Sequence, residues 1–241
     1  MHPSLSSVRL RPKAILFDLD DTLWPIGPVI VQAEIALHDW LAEHAPAVAR
    51  QFSIDTLRAH RMALLASQPE LQTDLGQLRR AGLHQAFSAA GEDVAKIEAA
   101  MAHFFAARNA VTPYEDVLPG LALLQKRILV GSISNGNADL DVIGMAGHFK
   151  VSLSAARFGR AKPDPAIFHA ACAALGVAPA EAVYVGDDLQ LDVAGAQRAG
   201  LRAVWMNRHA SMAHVAAGIV PDAICATFEE LLVWLDQQLE E

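Results

Sequence analysis

The chain has 241 residues, 53% hydrophobic and 19% charged, and a formal net charge of −8. Such a length and apolar content suit one α/β domain with a smaller insertion and exclude a disordered chain. The acidity argues against nucleic acid, which is held through basic patches. The two cysteines, Cys172 and Cys225, lack metal-ligand spacing and read as small core residues in a reducing compartment.

The first thirteen residues lack the apolar stretch of a signal peptide, and no run of about 18 apolar residues occurs anywhere. A soluble, cytoplasmic protein without a membrane span is expected. Ala14-Ile15-Leu16-Phe17 then reads as a buried strand, and Asp18-Leu19-Asp20-Asp21-Thr22 leaves its carboxyl end. In an open α/β sheet that edge is where ligands bind. Carboxylates this close repel one another and call for a counter-charge, for which Mg2+ is the usual answer. The first of them is then a candidate nucleophile. Taken alone, the same turn also fits an exposed acidic helix cap.

From about Val29 to Arg108 the pattern is helical. Leu37, Trp40 and Leu41 form one apolar stripe, and Leu57, Met62, Leu64 and Leu65 a second. Leu75, Leu78, Leu83, Ala86 and Phe87 form a third, and Ile97, Met101, Phe104 and Phe105 a fourth. Pro46, Ser53, Pro69 and Gly91 punctuate them, so about four helices are expected. Beyond Pro113 strands alternate with helices. Strands are expected near 128–133, 151–153, 183–185, 203–205 and 223–225. Helices are expected near 119–126, 138–146, 165–175, 191–199 and 228–237. This alternation predicts an α/β fold, a doubly wound parallel sheet with helices on both faces. The helical block becomes an insertion after the first strand, giving a core of 1–24 and 110–241 and an inserted helical domain of 25–109.

Three later strand ends carry polar groups. Ser134-Asn135-Gly136-Asn137 offers a hydroxyl and main-chain N–H groups for phosphate oxygens, or a simple capped turn. Lys162, before Pro163 and the Pro165 helix start, offers an ammonium, or is a surface lysine. Gly186-Asp187-Asp188 with Asp192 offers a metal-facing carboxylate, and Asp192 is placed to orient Lys162 or the waters of a metal; a solvated acidic helix start is the alternative.

Together, Asp18-Leu19-Asp20-Asp21-Thr22-Leu23, Ser134-Asn135, Lys162-Pro163 and Gly186-Asp187-Asp188 with Asp192 resemble the four motifs of the haloacid dehalogenase-like (HAD) hydrolase superfamily. The insertion resembles the helical cap of the subfamily that carries its cap between the first and second motifs. The resemblance covers nearly the whole chain, including Leu118-Pro119-Gly120 at the helix after the insertion. It implies a Rossmann-like core, with Asp18 as nucleophile and Asp20 as acid and base, and Thr22 steadying the Asp20 loop. It further implies Mg2+ on Asp18, the Asp20 carbonyl and Asp187. Ser134, Asn135 and Lys162, with Thr22 nearby, would hold the phosphate, and Asp188 and Asp192 would support the site.

A carboxylate at Asp20 favours phosphate-ester hydrolysis over dehalogenation. Lys96, the insertion's only lysine, has nothing to mark it as a Schiff-base former, which disfavours a phosphonate hydrolase. Receiver-type signalling domains would be about half this length and lack the insertion, and intact motifs count against a non-catalytic phosphate-binding member. A narrower resemblance, in Asn135-Gly136-Asn137-Ala138, Arg160-Ala161-Lys162-Pro163, Val185-Gly186-Asp187-Asp188-Leu189 and Ala203-Val204-Trp205, is to bacterial phosphatases of flavin mononucleotide and of a riboflavin precursor. It implies a small phosphorylated metabolite as partner; a nucleotide or sugar phosphate is the alternative. Arg79 and Arg80 read as a solvated helical face with an anion contact as the other option. Trp24 either stacks on a ligand ring or packs at the hinge. A monomer and a homodimer both fit.

Overall fold

The computed structural model describes residues 10–209 and 218–240. Residues 1–9, on which most of the expected leaderless start falls, lie outside them. Six parallel strands form one sheet in the order β3-β2-β1-β4-β5-β6. These are β1 (Ala14–Phe17), β2 (Leu129–Ser134), β3 (Val151–Ser154), β4 (Ala182–Gly186), β5 (Arg202–Met206) and β6 (Ala223–Cys225). The α/β architecture and all six strands stand as the sequence pattern indicates.

β1 sits centrally, between β2 and β4. Its alternation divides the core in two. Ile15 and Phe17 pack with Val183, Val185 and Val204 against α6 (Val117–Leu124) and the last helix, α11 (Phe228–Glu240). Ala14 and Leu16 pack on the other face with Tyr184 and Trp205 against α9 (Pro165–Leu175). A strand buried on both faces needs a continuous apolar run, which is what Ala14–Phe17 supplies.

The block between β1 and α6 contains α1 (Ile26–His44), α2 (Pro46–Gln51), α3 (Ile54–Ser67), α4 (Leu75–Ala90) and α5 (Ile97–Arg108). They enclose a core of their own, with Leu37, Leu41, Leu57, Leu83, Phe87, Ile97, Met101 and Phe104. Ser53 caps α3 by accepting from Thr56 N, and Gly91 ends α4 at φ +69°. Two stripe members face water instead: Met62 is 58% and Leu75 40% exposed. The helical block also starts earlier than the periodicity suggested, because Asp21 Oδ1 accepts from Ile26 N and organises the first turn.

The polypeptide enters and leaves this block side by side, with Tyr114 N donating to Leu23 O at 3.0 Å. Arg208 clamps the junction. Its Nη1 donates to both oxygens of Asp116, at 2.9 and 2.7 Å, and its Nε donates to Thr22 O at 3.2 Å.

Three helices differ from expectation. The 138–146 helix shrinks to α7 (Leu140–Ile143), capped by Asp139 and stopped by Gly144 at φ +80°. The 191–199 helix divides into a π-type turn over Leu189–Ala194, where Val193 N reaches back five residues to Asp188 O, and the short α10 (Gly195–Arg198). An unforeseen α8 (Ala155–Phe158) follows β3.

Candidate active site

The carboxyl ends of β1, β2 and β4 converge. Asp18 begins where β1 ends, with its N–H donating to Val185 O of β4, so its side chain projects from the sheet edge. Lys162 reaches it from the turn before α9. The Nζ donates to Asp18 Oδ1 at 2.5 Å, Asp192 Oδ1 at 2.6 Å and the Tyr184 hydroxyl at 2.9 Å. The Tyr184 hydroxyl in turn donates to Ile133 O. With three acceptors around three N–H donors, the ammonium is saturated and 4% exposed. Burial opposes its charge, but Asp18 and Asp192 outweigh that and raise its pKa above the usual lysine range. It is a fixed cation, not the surface lysine that the isolated motif allowed.

Asp18, Asp187 and Asp192 each bring a carboxylate oxygen within 4.8 Å of the others. Burial first, and then the charges of Asp192 and Asp187, push Asp18 above the carboxylate range despite Lys162. Burial with the charges of Asp192 and Asp21 raises Asp187 to about 7. Three carboxylates against one ammonium leave negative charge in a closed space. That oxygen-only donor set fits a hard divalent cation such as Mg2+. Asp192 lies at the rear of the cluster. Its Oδ1 accepts from Lys162 and its Oδ2 from Asp188 N at 3.0 Å, so its task is to hold Lys162. Gly186 permits this approach: a Cβ there would lie 2.3 Å from Asp192 Oδ2.

Several of the expected side chains are closed on protein groups. Thr22 is fully buried and its Oγ1 donates to Asp187 Oδ1 at 3.3 Å, so it braces that carboxylate and does not face phosphate. The Asn135 side chain is closed on the Lys162 peptide, donating to its carbonyl at 2.9 Å and accepting from its N–H at 2.8 Å. What Asn135 can offer a phosphate is therefore its main chain. Ser134 Oγ accepts from Gly136 N at 2.9 Å and organises the loop. Asp188 caps the π-type turn, accepting from the N–H groups of Gln190 and Leu191.

Asp20 is fixed by two residues. Trp24 Nε1 donates to its Oδ1 at 2.8 Å, and Arg108 Nη2 donates to Oδ1 and Oδ2 at 2.8 and 2.7 Å. Trp24 is fully buried, so it packs at the hinge and presents no face to a ligand. Arg108 has no mark in the sequence. A basic residue in a helix's last turn reads as a complement to the helix dipole, and 88 positions separate it from Asp20. Arg79 also departs from the solvated face expected of it: it is 8% exposed and lies 3.6 Å over the Phe104 ring, whereas Arg80 stays outside, paired with Glu98. Beside Asp187 a cleft of about 510 Å³ opens, bordered by Asp21, Asp188, Gln190 and Arg208.

Residues 12–200 match the haloacid dehalogenase-like hydrolase family model. The chain belongs to the haloacid dehalogenase-like hydrolases, and within them it stands among phosphoric monoester hydrolases. It is 34% identical over 200 residues to the 5-amino-6-(5-phospho-D-ribitylamino)uracil phosphatase YigB of Escherichia coli (strain K12), covering 81% of this chain and 84% of that one. It is 36% identical over 139 residues to a phosphoserine phosphatase of Thermus thermophilus, covering 55% and 56%. A structure described as a 2-haloacid dehalogenase from Pseudomonas syringae pv. Tomato DC3000 superposes with a TM-score of 0.87 at 38% identity, over 94% of this chain and 99% of that one. Among the described residues no helix is long and apolar enough to cross a membrane.

Proposed function

We propose that this hydrolase is a magnesium-dependent phosphatase that cleaves a small phosphomonoester through an aspartyl-phosphate on Asp18. The observation that carries the reading is the position of Asp18: ion-paired to a buried Lys162, next to Asp187, with the Asp20 carboxylate two residues on against the Ser134–Gly136 loop. Residues 25–109 are read as the cap over this site, and 1–24 with 110–241 as the core.

Asp18 attacks phosphorus in line, forming the Asp18–phosphorus bond as the bond to the alcohol oxygen breaks. Asp20 gives that oxygen a proton. It then takes one from the water that attacks the aspartyl-phosphate, which releases phosphate and restores Asp18. Lys162, Ser134 and the main chain of the 134–137 loop hold the equatorial oxygens, a preorganised clamp on developing charge. Mg2+ would be held by Asp18, the Asp20 carbonyl and Asp187. When bound, it supplies the positive charge that the three carboxylates and the phosphoryl oxygens call for.

A dehalogenase shares the fold and the nucleophile. Halide leaves without a proton, however, so the placement of Asp20 favours an ester with an alcohol leaving group. The relation to the Escherichia coli enzyme supports a phosphorylated ribityl compound, a riboflavin precursor or flavin mononucleotide, as substrate. The burial of Trp24 favours a ligand read through its phosphate and hydroxyls over one read by ring stacking. A nucleotide or sugar phosphate is the second reading, and such metabolites agree with a cytoplasmic location.

The test is a panel of flavin mononucleotide, the ribitylaminouracil phosphate, nucleoside monophosphates, sugar phosphates and a 2-haloacid, each with and without magnesium. Phosphate release that needs magnesium and is fastest on the ribityl esters is expected. Halide release without phosphate release would overturn the phosphatase reading, and turnover confined to sugar phosphates would overturn the narrower one.

A further inference from the structure

We infer that Arg108 is a positioning residue for proton transfer by Asp20, and that through it the last helix of the insertion sets the geometry of the acid–base step. The inference rests on the acid–base reading of Asp20 and goes beyond it.

Arg108 closes α5 and is 1% exposed, an unusual burial for a charged side chain. Its guanidinium is held from two sides. Nη2 donates to both Asp20 oxygens, and Nε donates to Asn137 Oδ1 at 2.9 Å. The fork therefore joins three pieces of chain: the first acidic turn, the end of the helical insertion, and the loop after β2. Asn109, the next residue, adds a second tie, with its Oδ1 accepting from Asp139 N at 3.0 Å.

The carboxylate it fixes lies against the phosphate loop. A Cβ on Gly136 would fall 2.5 Å from Asp20 Oδ2, 3.1 Å from Ser134 Oγ and 3.4 Å from Arg108 Nη2. Oδ1 accepts two hydrogen bonds, from Trp24 and Arg108, while Oδ2 accepts only the one from Arg108 among the described residues. Oδ2 thus keeps a lone pair for the proton in transit. It passes that proton to the leaving oxygen as the phosphorus–oxygen bond breaks, and receives another from water as water bonds phosphorus. Asp20 is 22% exposed at its side chain and would otherwise sample several rotamers. Proton transfer requires hydrogen-bond reach, and a misplacement of about 1 Å costs roughly 10²-fold. Arg108 makes no hydrogen bond to the nucleophile Asp18; its side-chain bonds go to Asp20 and Asn137, with Nη1 buried and unpartnered among the described residues, and in this proposal it acts through Asp20.

The experiment compares kcat/KM for phosphate esters whose leaving groups span p-nitrophenol to a simple alkanol, in the wild type, Arg108→Ala, Arg108→Lys, Asp20→Asn and the Arg108→Ala/Asp20→Asn double variant. This constant reports steps through alcohol release, where only poor leaving groups need the acid. Arg108→Ala is expected to lose at least tenfold more on the alkyl ester than on p-nitrophenyl phosphate, with Arg108→Lys recovering part of the difference. In the Asp20→Asn background the Arg108 substitution is expected to add no further leaving-group dependence. Equal losses across the series for Arg108→Ala, with a steep series for Asp20→Asn, would overturn the role of Arg108 and leave that of Asp20 standing. A flat series for Asp20→Asn would overturn both. If Arg108→Ala does not fold, Arg108→Lys and Asn137→Ala carry the same comparison, and flat series for both would overturn the proposal.

Discussion

Lys162 explains how three carboxylates persist within one small volume. Its three hydrogen bonds go to Asp18, Asp192 and Tyr184, of which Asp192 is held in turn by Asp188 N and Tyr184 by Ile133 O. The candidate residues Asp18, Asp20, Ser134 and Asp187 were legible because each follows an apolar strand, where ligands of a parallel sheet gather, whereas Lys162 lies beyond α8 in the turn before α9. The side-chain partners of Asn135 and Thr22 were not foreseen: amide and hydroxyl groups bond to whatever the fold brings near, and those partners lie 27 and 165 residues away. Arg108 left no trace for the same reason.

Gly186 tests how tightly the cluster is packed. Gly186→Ala places a methyl against Asp192, and overpacking of this kind costs about 1–3 kcal/mol. A lower urea midpoint is expected together with reduced aryl-phosphate turnover, since displaced Asp192 releases Lys162. Unchanged turnover would show that Lys162 does not depend on Asp192.

At the scale of elements, the insertion is held by more than its apolar stripes. Glu34 of α1 is 4% exposed and accepts from Arg58 at 2.5 Å and from Arg61, with Arg79 at 3.7 Å. Burial pushes its carboxyl up, but the Arg58 hydrogen bond and the charges of Arg61, Arg79 and Arg58 overcome this and hold it below 4.5. The third cation has the least compensation: burial and Arg61 lower Arg79 to about 9. Periodicity foresaw the four long helices and missed this cluster, because charged residues on helices default to solvent.

Removing one member of a buried pair costs roughly 3–5 kcal/mol. Glu34→Gln is expected toward the low end, since Arg58 is half exposed and the amide still accepts hydrogen bonds. The sign with pH follows from the lowered pKa. The ionised group stabilises the fold fully above 4.5, and that contribution is lost as pH falls through the folded-state value. The difference in denaturation midpoint between wild type and Glu34→Gln is therefore expected to be constant at neutral pH and to close on acidification. A gap that persists at low pH would contradict the ion-pair account.

For the whole molecule, the parallel sheet and the placement of the helical block follow from two-sided burial of the central strands, from the helical period that begins after β1, and from the alternation of strand and helix beyond Pro113, while the strand order β3-β2-β1-β4-β5-β6 was not read from the sequence. What escaped was the breaking of helices, since α7 ends on a glycine at positive φ and the stretch after Asp188 widens into a π-type turn around the buried Asp192. Both departures lie beside the site.

A metal held by the acidic cluster would add to global stability. A cation that binds only the folded state adds RT ln(1 + [L]/Kd), about 2.7 kcal/mol at a hundredfold excess over Kd. Magnesium added to metal-stripped protein is expected to raise the melting temperature in the wild type and not in Asp187→Ala; equal shifts in both would remove Asp187 from the metal site.

The account turns on a phosphoryl group carried by Asp18. Turnover quenched in acid within milliseconds, followed by peptide mass spectrometry, locates that group directly. The prediction is a labile phosphoryl adduct on Asp18 in the wild type, and neither adduct nor turnover in Asp18→Asn, with activity reduced by on the order of 10⁴-fold or more. An adduct on another residue, or sustained phosphate release by Asp18→Asn, would contradict it.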